Sequence, residues 1–104
     1  MKFTASDVFG NTVIGPLSAW SHVEKRHAEM VGREDQVKVA IEQPVSVHEG
    51  NTPNTKVFKG EPISTGFWQD SFVVAIVEYV KNGTGYMRTA YLSTRDPGGV
   101  RLWP

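Results

Sequence analysis

The chain has 104 residues, with 11 basic and 11 acidic side chains, a formal net charge of zero and no cysteine. This length predicts one domain, over residues 1–104, and the absence of cysteine excludes disulfides, thiolate metal sites and cysteine nucleophiles. The neutral charge argues against a broad nucleic-acid-binding surface, although an enzyme that contacts a few nucleotides needs only a local basic pocket.

The N-terminal residues lack the apolar stretch of a signal peptide. The apolar run at residues 72–76 is far shorter than the roughly 20 residues that span a bilayer. We therefore expect a cytoplasmic protein that does not associate with a membrane.

The first predicted elements are two short strands, at residues 3–4 and 12–14, on either side of a segment in which Gly10 and Asn11 favour a turn. Gly15 and Pro16 end this pattern. These residues therefore predict a strand pair that precedes the first helix.

Two short helices follow in tandem. Ser18 is a suitable N-cap for a helix over about residues 19–31, and Gly32 ends it. A second helix is predicted over about residues 34–42, and Pro44 stops it.

The first helix is amphipathic. His27 falls inside its apolar arc, whereas His22 and Arg26, four positions apart, lie together on the adjacent flank. The other members of the arc are Ala19, Trp20, Val23, Met30 and Val31.

Beyond the helices the pattern changes to strands, at residues 45–47, 56–59, 71–81 and 86–93. The third of these is apolar on both faces and indicates a central strand. The C-terminal residues 100–104 either pack on the sheet or remain free of it, and the sequence alone favours neither alternative.

A two-residue turn at residues 83–84, with Asn82 opposite Gly85, predicts the register between the last two of these strands. Counting back along the antiparallel ladder places Glu78 opposite Thr89. The acidic and hydroxyl side chains are therefore expected to be polar neighbours on an apolar face.

Several of these segments together resemble a known family. The helix from Trp20 to Met30 reads WSHVEKRHAEM, Pro44 follows the second helix, and residues 86–91 read YMRTAY. This order resembles the small phage-associated members of the barnase/EndoU/colicin/RelE-like (BECR) nuclease superfamily, over about residues 20–92. The resemblance implies an α+β fold in which two N-terminal helices pack on a small antiparallel sheet, as in RelE and barnase.

The resemblance also implies a function and a site. It implies a metal-independent endoribonuclease or toxin-like RNase domain that needs no cofactor, acts on RNA and has a cognate immunity or antitoxin protein as a partner. The corresponding residues here are His22, Arg26, His27 and Thr89, with Arg88 and Tyr91 beside them.

These residue types suit RNA cleavage without a metal. The reaction requires removal of a proton from the 2′-hydroxyl, stabilisation of charge on the phosphate and protonation of the leaving 5′ oxygen. Histidine can serve in either proton transfer, and arginine can bind phosphate oxygens. His22, Arg26 and His27 could supply this set from one helix. His22 and His27 lie about 140° apart around the helix, so they cannot bind one metal ion as an HExxH motif does.

The strand residues have supporting roles in this hypothesis. Thr89 would orient a phosphate oxygen, and Arg88 would bind the substrate. Tyr91 would stack on a base or donate a hydrogen bond. Glu78 would act as a base or orient a histidine.

Each of these residues also has an ordinary structural interpretation. His27 can be a core histidine bonded to a backbone carbonyl, and His22 with Arg26 can form a solvated helix face. Thr89 and Tyr91 are common strand residues. For its part, Glu78 can pair with Lys81 or Arg88, and His48, beside turn residues, is expected to be an exposed loop histidine.

Three functions therefore stay open. The leading hypothesis is the ribonuclease, and the second is a non-catalytic relative that binds protein or RNA, which the zero net charge favours. The third is a structural domain that associates through a sheet edge such as residues 56–59, although the flanking lysines disfavour that. The sequence does not determine the oligomeric state.

Overall fold

The computed structural model describes residues 1–80 and 83–104, and within these ranges the chain forms seven strands, two α-helices and one 3₁₀ turn. The strands are β1 (Phe3–Ser6), β2 (Thr12–Gly15), β3 (Ser46–Glu49), β4 (Thr55–Lys59), β5 (Phe72–Val80), β6 (Thr84–Ser93) and β7 (Arg101–Trp103). The helices are α1 (Leu17–Arg26) and α2 (Glu34–Glu42), and the 3₁₀ turn at Ala28–Met30 lies between them.

All seven strands belong to one sheet, in the order β1-β2-β6-β5-β4-β3-β7. Strands β2 and β6 are parallel, whereas the other neighbouring strands in the described ranges are antiparallel. The sheet is therefore mixed, with β1 and β7 at its two edges.

The fold predicted from the sequence, two N-terminal helices on a small antiparallel sheet as in RelE and barnase, is wrong. The sheet has seven strands, and a β-hairpin precedes the helices. The hairpin joins the sheet through the parallel pairing of Thr12 with Thr84, and the C-terminal residues add a strand at the opposite edge. Such pairings between distant segments depend on the packing of the whole chain, so local patterns do not specify them.

Most individual elements are confirmed within a few residues. The two N-terminal strands, the second helix and the strands from β3 to β6 all form where the pattern predicts them. β7 settles the open alternative for the C-terminus, because it pairs with β3 through Val47 and Trp103. These residues therefore pack on the sheet.

The first helix is shorter than predicted. It begins after Pro16, whose carbonyl accepts a hydrogen bond from the Trp20 N–H, so Ser18 lies inside the first turn and is not the N-cap. Proline suits this place because its φ is compatible with a helix and no N–H is needed there. The helix ends at Arg26, and His27 leaves the helical conformation with φ −133° and ψ 77°.

The core lies between the two helices and one face of the sheet. On β5, alternate side chains such as Ala75 and Val77 point to this face, as the period of two in a strand requires. The buried residues that meet there include Val13, Trp20, Val23, Met30, Val37, Ile41, Phe58 and Met87. Val31, predicted in the apolar arc, is exposed because the helix has already ended.

The register between β5 and β6 differs from the prediction. Glu78 lies opposite Tyr86 and not Thr89, and Thr89 lies opposite Ile76. Thr84, expected in the turn, is already a strand residue paired with Val80. Gly85, expected opposite Asn82, lies opposite Tyr79, so the pairing next to the turn is shifted by three residues from the predicted register.

Two expectations from the sequence fall on residues outside the described ranges. They are the position of Asn82 in the turn and the alternative pairing of Glu78 with Lys81.

Candidate functional site

The face of the sheet opposite the helices contains a cleft of about 650 Å³. Its floor includes Val57, Ile76 and Tyr91, which come from three neighbouring strands. Glu49 and residues 97–99 form part of its wall. This combination of an apolar floor and a polar wall is typical of ligand-binding clefts, whose usual volumes are about 300–1,000 Å³.

Arg88 occupies a β-bulge at the rim of this cleft. Ile76 pairs with Thr89 and Val77 with Met87, so Arg88 is the extra residue of β6. A bulge bends the strand locally and redirects its side chain. The Arg88 guanidinium lies 3.3 Å from Oε1 of Glu78. This ion pair is one of the structural alternatives that the sequence left open for Glu78.

A second, shallower pocket of about 440 Å³ lies on the other side of Arg88, between α1 and β6. Its lining includes His22 and Tyr86 together with Arg88. Arg88 thus borders both pockets, and its side chain is 65% exposed. We call the surface formed by His22, His27, Tyr86, Arg88 and Tyr91 the α1–β6 seam.

His27 lies further along this seam. Its ring centroid is 5.6 Å from that of Tyr91, and its Nδ1 is 3.8 Å from Oε2 of Glu29. The ring is half-buried. Among the described residues it makes no hydrogen bond to a backbone carbonyl, so the structure does not show the core histidine that the sequence offered as an alternative.

Three of the predicted site residues, Arg26, His27 and Thr89, lie outside both pockets. Arg26 is exposed at the end of α1 and lines neither of them. Thr89 is half-buried opposite Ile76 and also lines neither. The structure therefore places His22, Glu78, Arg88 and Tyr91 on the two pockets and His27 beside Tyr91, whereas Arg26 and Thr89 line neither pocket.

His48 is not the exposed loop histidine that was expected. It lies in β3 and is half-buried, with Nε2 2.9 Å from Oγ of Ser46 and Nδ1 3.1 Å from the carbonyl oxygen of Gly99. Because a carbonyl only accepts, Nδ1 must donate in this contact. The alternation of Ser46 and His48 about Val47 is the signal that could have extended the strand through this residue.

Residues 96–100, which we call the strap, run along the edge of the cleft next to β3. The N–H of Glu49 donates to the carbonyl oxygen of Val100 at 2.8 Å, and Lys59 forms an ion pair with Asp96. The hydrogen bond from Lys59 and its positive charge hold the pKa of the Asp96 carboxyl below its usual value. Contacts with two strands therefore hold the strap as a wall of the cleft.

The strap and Tyr86 were missed as site elements in the sequence. The segment Asp96-Pro97-Gly98-Gly99 has the composition of a turn and carries no residue that suggests chemistry. Tyr86 stands in the YMRTAY segment, but only the packing of α1 beside β6 places it in a pocket with His22.

Comparisons with protein-family models, with curated proteins and with solved structures find no match to this chain. The resemblance to the BECR nucleases therefore stays a prediction. Neither of the α-helices that the structure describes is long and apolar enough to cross a membrane. Within residues 1–80 and 83–104, no three histidine, cysteine, aspartate or glutamate side chains lie close enough together to bind a metal ion.

Proposed function

We propose that this protein is a metal-independent endoribonuclease or toxin-like RNase domain that binds single-stranded RNA across the α1–β6 seam. The observation that carries the proposal is the position of Arg88. Its guanidinium borders the pocket that contains His22 and the cleft that contains Tyr91. A phosphate binder thus lies between a proton-transfer group and an aromatic ring.

Arg88 would bind the phosphate at which cleavage occurs. A guanidinium presents a planar set of donors that matches two phosphate oxygens, and it stays charged at every physiological pH. Glu78 lies 3.3 Å away and would orient the guanidinium before RNA binds. The same guanidinium would then stabilise the extra negative charge that develops on the phosphate.

The cleft would receive one unpaired base. Its volume of about 650 Å³ is sufficient for a base and its ribose, and residues 49–52 and the strap form its walls. The ring of Tyr91 would stack on the base, an interaction worth about 1–3 kcal/mol. This geometry favours single-stranded RNA over paired RNA.

His22 and His27 would perform the two proton transfers. One ring accepts the 2′-hydroxyl proton as that oxygen attacks phosphorus, and the other donates a proton to the 5′ oxygen as its bond to phosphorus breaks. The products are a 2′,3′-cyclic phosphate and a 5′-hydroxyl. Glu29, 3.8 Å from Nδ1 of His27, would orient that ring.

The resemblance of residues 20–92 to the BECR nucleases supports the same function. Two residues that it implies as catalytic, Arg26 and Thr89, line neither pocket and have no role in this mechanism. A cognate immunity or antitoxin protein is part of the same proposal. So is a cytoplasmic location, which a chain without cysteine suits.

The test is cleavage of a fluorescent mixed-sequence single-stranded RNA in EDTA. We expect the wild-type protein to cleave it, and His22→Ala and Arg88→Ala to lower the rate by about 10²–10⁴-fold, the range typical of acid–base and charge-stabilising groups. Lys25→Ala is the matched control, because Lys25 is an exposed cation on α1 that lines neither pocket. Circular dichroism verifies that each variant is folded.

A second candidate function is RNA binding without cleavage. The pairing of Arg88 with Glu78 favours it, because a guanidinium already paired with a carboxylate stabilises the negative charge that develops during cleavage less strongly. Binding of the same RNA without cleavage at any pH, together with weaker binding by Arg88→Ala, would support this function. A wild-type protein that neither binds nor cleaves RNA would contradict both.

A further inference from the structure

An apolar groove lies on the helix-bearing side of the molecule, away from the cleft. It has a volume of about 400 Å³ and runs between α2 and the segment that follows β4. Its apolar lining comes from Val39, Ala40, Ile63 and Val73. Val39 is 49% exposed although it belongs to a helix with a buried face. Apolar surface gathered in a concave groove is typical of a contact with another molecule.

The rim of this groove is acidic. Asp35 of α2 and Glu61 of the opposite wall both line it, and none of its described lining residues is a cation. In the part of the chain that the structure describes, neither carboxylate takes part in an ion pair. The groove therefore combines an apolar floor with two negative charges that have not been neutralised.

A pair of aromatic rings stands on the loop that forms one wall of the groove. Phe67 is 91% exposed, and its ring packs edge-to-face against that of Trp68, with centroids 5.0 Å apart. The base of this loop is closed by hydrogen bonds of 2.8 Å between Ile63 and Asp70 and between Ile63 and Ser71. The aromatic tip is therefore carried on the same closed loop as Ile63, which lines the groove.

We propose that this groove and the aromatic tip bind an extended segment of a partner protein in which an apolar side chain lies between basic residues. The apolar side chain would enter the groove, and the flanking cations would pair with Asp35 and Glu61. Exposed aromatic residues are enriched among the contacts that dominate binding, and complementary charges select the partner.

The charge of the rim decides between classes of partner. Nucleic acids and anionic lipid surfaces carry negative charge that Asp35 and Glu61 would repel, so a basic polypeptide fits best. The surface lies on the side of the sheet opposite the RNA cleft, and none of the described residues that line it also lines that cleft or the His22 pocket. The proposal therefore does not rest on the ribonuclease function.

The experiment measures fluorescence anisotropy of two labelled nine-residue peptides. The first has a central leucine with two arginines on each side, and the second has glutamates in place of the arginines. Each is titrated with the wild-type protein and with the double variant Asp35→Lys/Glu61→Lys. Glu24→Lys on α1 is the matched control for a charge reversal outside the groove.

We expect the wild-type protein and Glu24→Lys to bind the arginine peptide about tenfold or more tightly than the glutamate peptide. The double variant should reverse this preference, since reversing two exposed ion pairs changes the binding free energy by about 1.4 kcal/mol or more, which is tenfold in Kd. Val39→Ser should weaken binding of the arginine peptide without reversing the preference. Cleavage of RNA should be unaffected in all these variants.

Two results would overturn the proposal. One is equal affinity of the two peptides for the wild-type protein, including no binding of either, because the acidic rim would then not discriminate between basic and acidic peptides. The other is a dimer in sedimentation of the protein alone that Phe67→Ser dissociates, because the groove would then be covered by a second copy of this chain. Circular dichroism of the double variant, with Asp35→Asn/Glu61→Gln as a milder pair, keeps the test valid if the charge reversal prevents folding.

Discussion

The hydroxyl of Tyr79 donates a hydrogen bond of 2.5 Å to Oδ2 of Asp7, a residue 72 positions earlier in the chain. The other carboxylate oxygen of Asp7 accepts from the N–H groups of Phe9 and Asn11, at 2.9 and 2.8 Å. This buried carboxylate therefore closes the turn between β1 and β2 and attaches it to β5. Burial, and secondarily the hydrogen bond to Asp7, raises the pKa of the Tyr79 phenol well above its usual value.

We expect Tyr79→Phe to lower the free energy of unfolding by about 1–3 kcal/mol, because Oδ2 of the buried Asp7 carboxylate loses one of its two donors and keeps only the side-chain amide of Asn11. The pKa of Tyr79 is higher in the folded protein than in the unfolded chain, where it is 10.0. The contribution of Tyr79 to the free energy of unfolding is therefore complete below pH 10 and declines as the pH rises further. Urea unfolding at about pH 8 and pH 11 should show the difference between wild type and variant shrink at the higher pH.

Tyr86→Phe is the control for that measurement, since Tyr86 is partly exposed and outside this cluster. A Tyr79→Phe protein as stable as wild type at pH 8 would contradict the role assigned to the hydrogen bond.

Gly99→Ala should detach the strap from β3. A Cβ at Gly99 would overlap the carbonyl oxygen of Glu49, whereas a Cβ at Gly98 would meet no atom within 4 Å. We expect hydrogen exchange of the Glu49 amide, which donates to Val100, to become about tenfold faster in Gly99→Ala, equivalent to about 1.4 kcal/mol of local stability. Gly98→Ala should exchange like wild type. Equal protection in both variants would mean that the strap accommodates the methyl group.

Lys59→Ala should raise the pKa of Asp96 towards its unperturbed value of 3.8. The hydrogen bond and charge of Lys59 lower that pKa in the folded protein, so the ion pair is present above pH 3.8 and is lost only as the pH falls through the lower, folded value. Titration of the Asp96 carboxyl carbon by NMR measures this directly. Lys25→Ala should leave the titration unchanged, and an unchanged midpoint in Lys59→Ala would show that the pair is not formed in solution.

Tyr91→Ala should weaken RNA binding by about 1–3 kcal/mol, the usual loss when an aromatic ring that stacks on a base is removed. Tyr91→Phe keeps the ring and should bind like wild type. Both are measured by anisotropy with single-stranded RNA in a His22→Ala background, which prevents cleavage under the proposed mechanism. If Tyr91→Phe loses as much affinity as Tyr91→Ala, the hydroxyl and not the ring would be the contact.

Part of the candidate site was accessible from sequence. The helical spacing of His22 and His27 and the strand segment that contains Arg88 and Tyr91 both identified residues that lie along one seam. Arg26 was grouped with His22 because they share a helix face, but β6 passes beside His22 and the pocket there does not extend to Arg26. A helical wheel predicts which residues share a face of a helix, but it does not predict which part of that face a neighbouring strand covers.

The amino-acid sequence by itself determined the elements of this protein. Periodicity and turn residues predicted the N-terminal strands, α2, and the strands from β3 to β6, because these depend on contacts between residues close in the chain. Tertiary structure alone decided the parallel pairing of β2 with β6, the addition of β7, the bulge at Arg88 and the strap beside β3. Each of these brings together segments far apart in sequence, and their pairing depends on which arrangement best buries the core and satisfies the backbone hydrogen bonds.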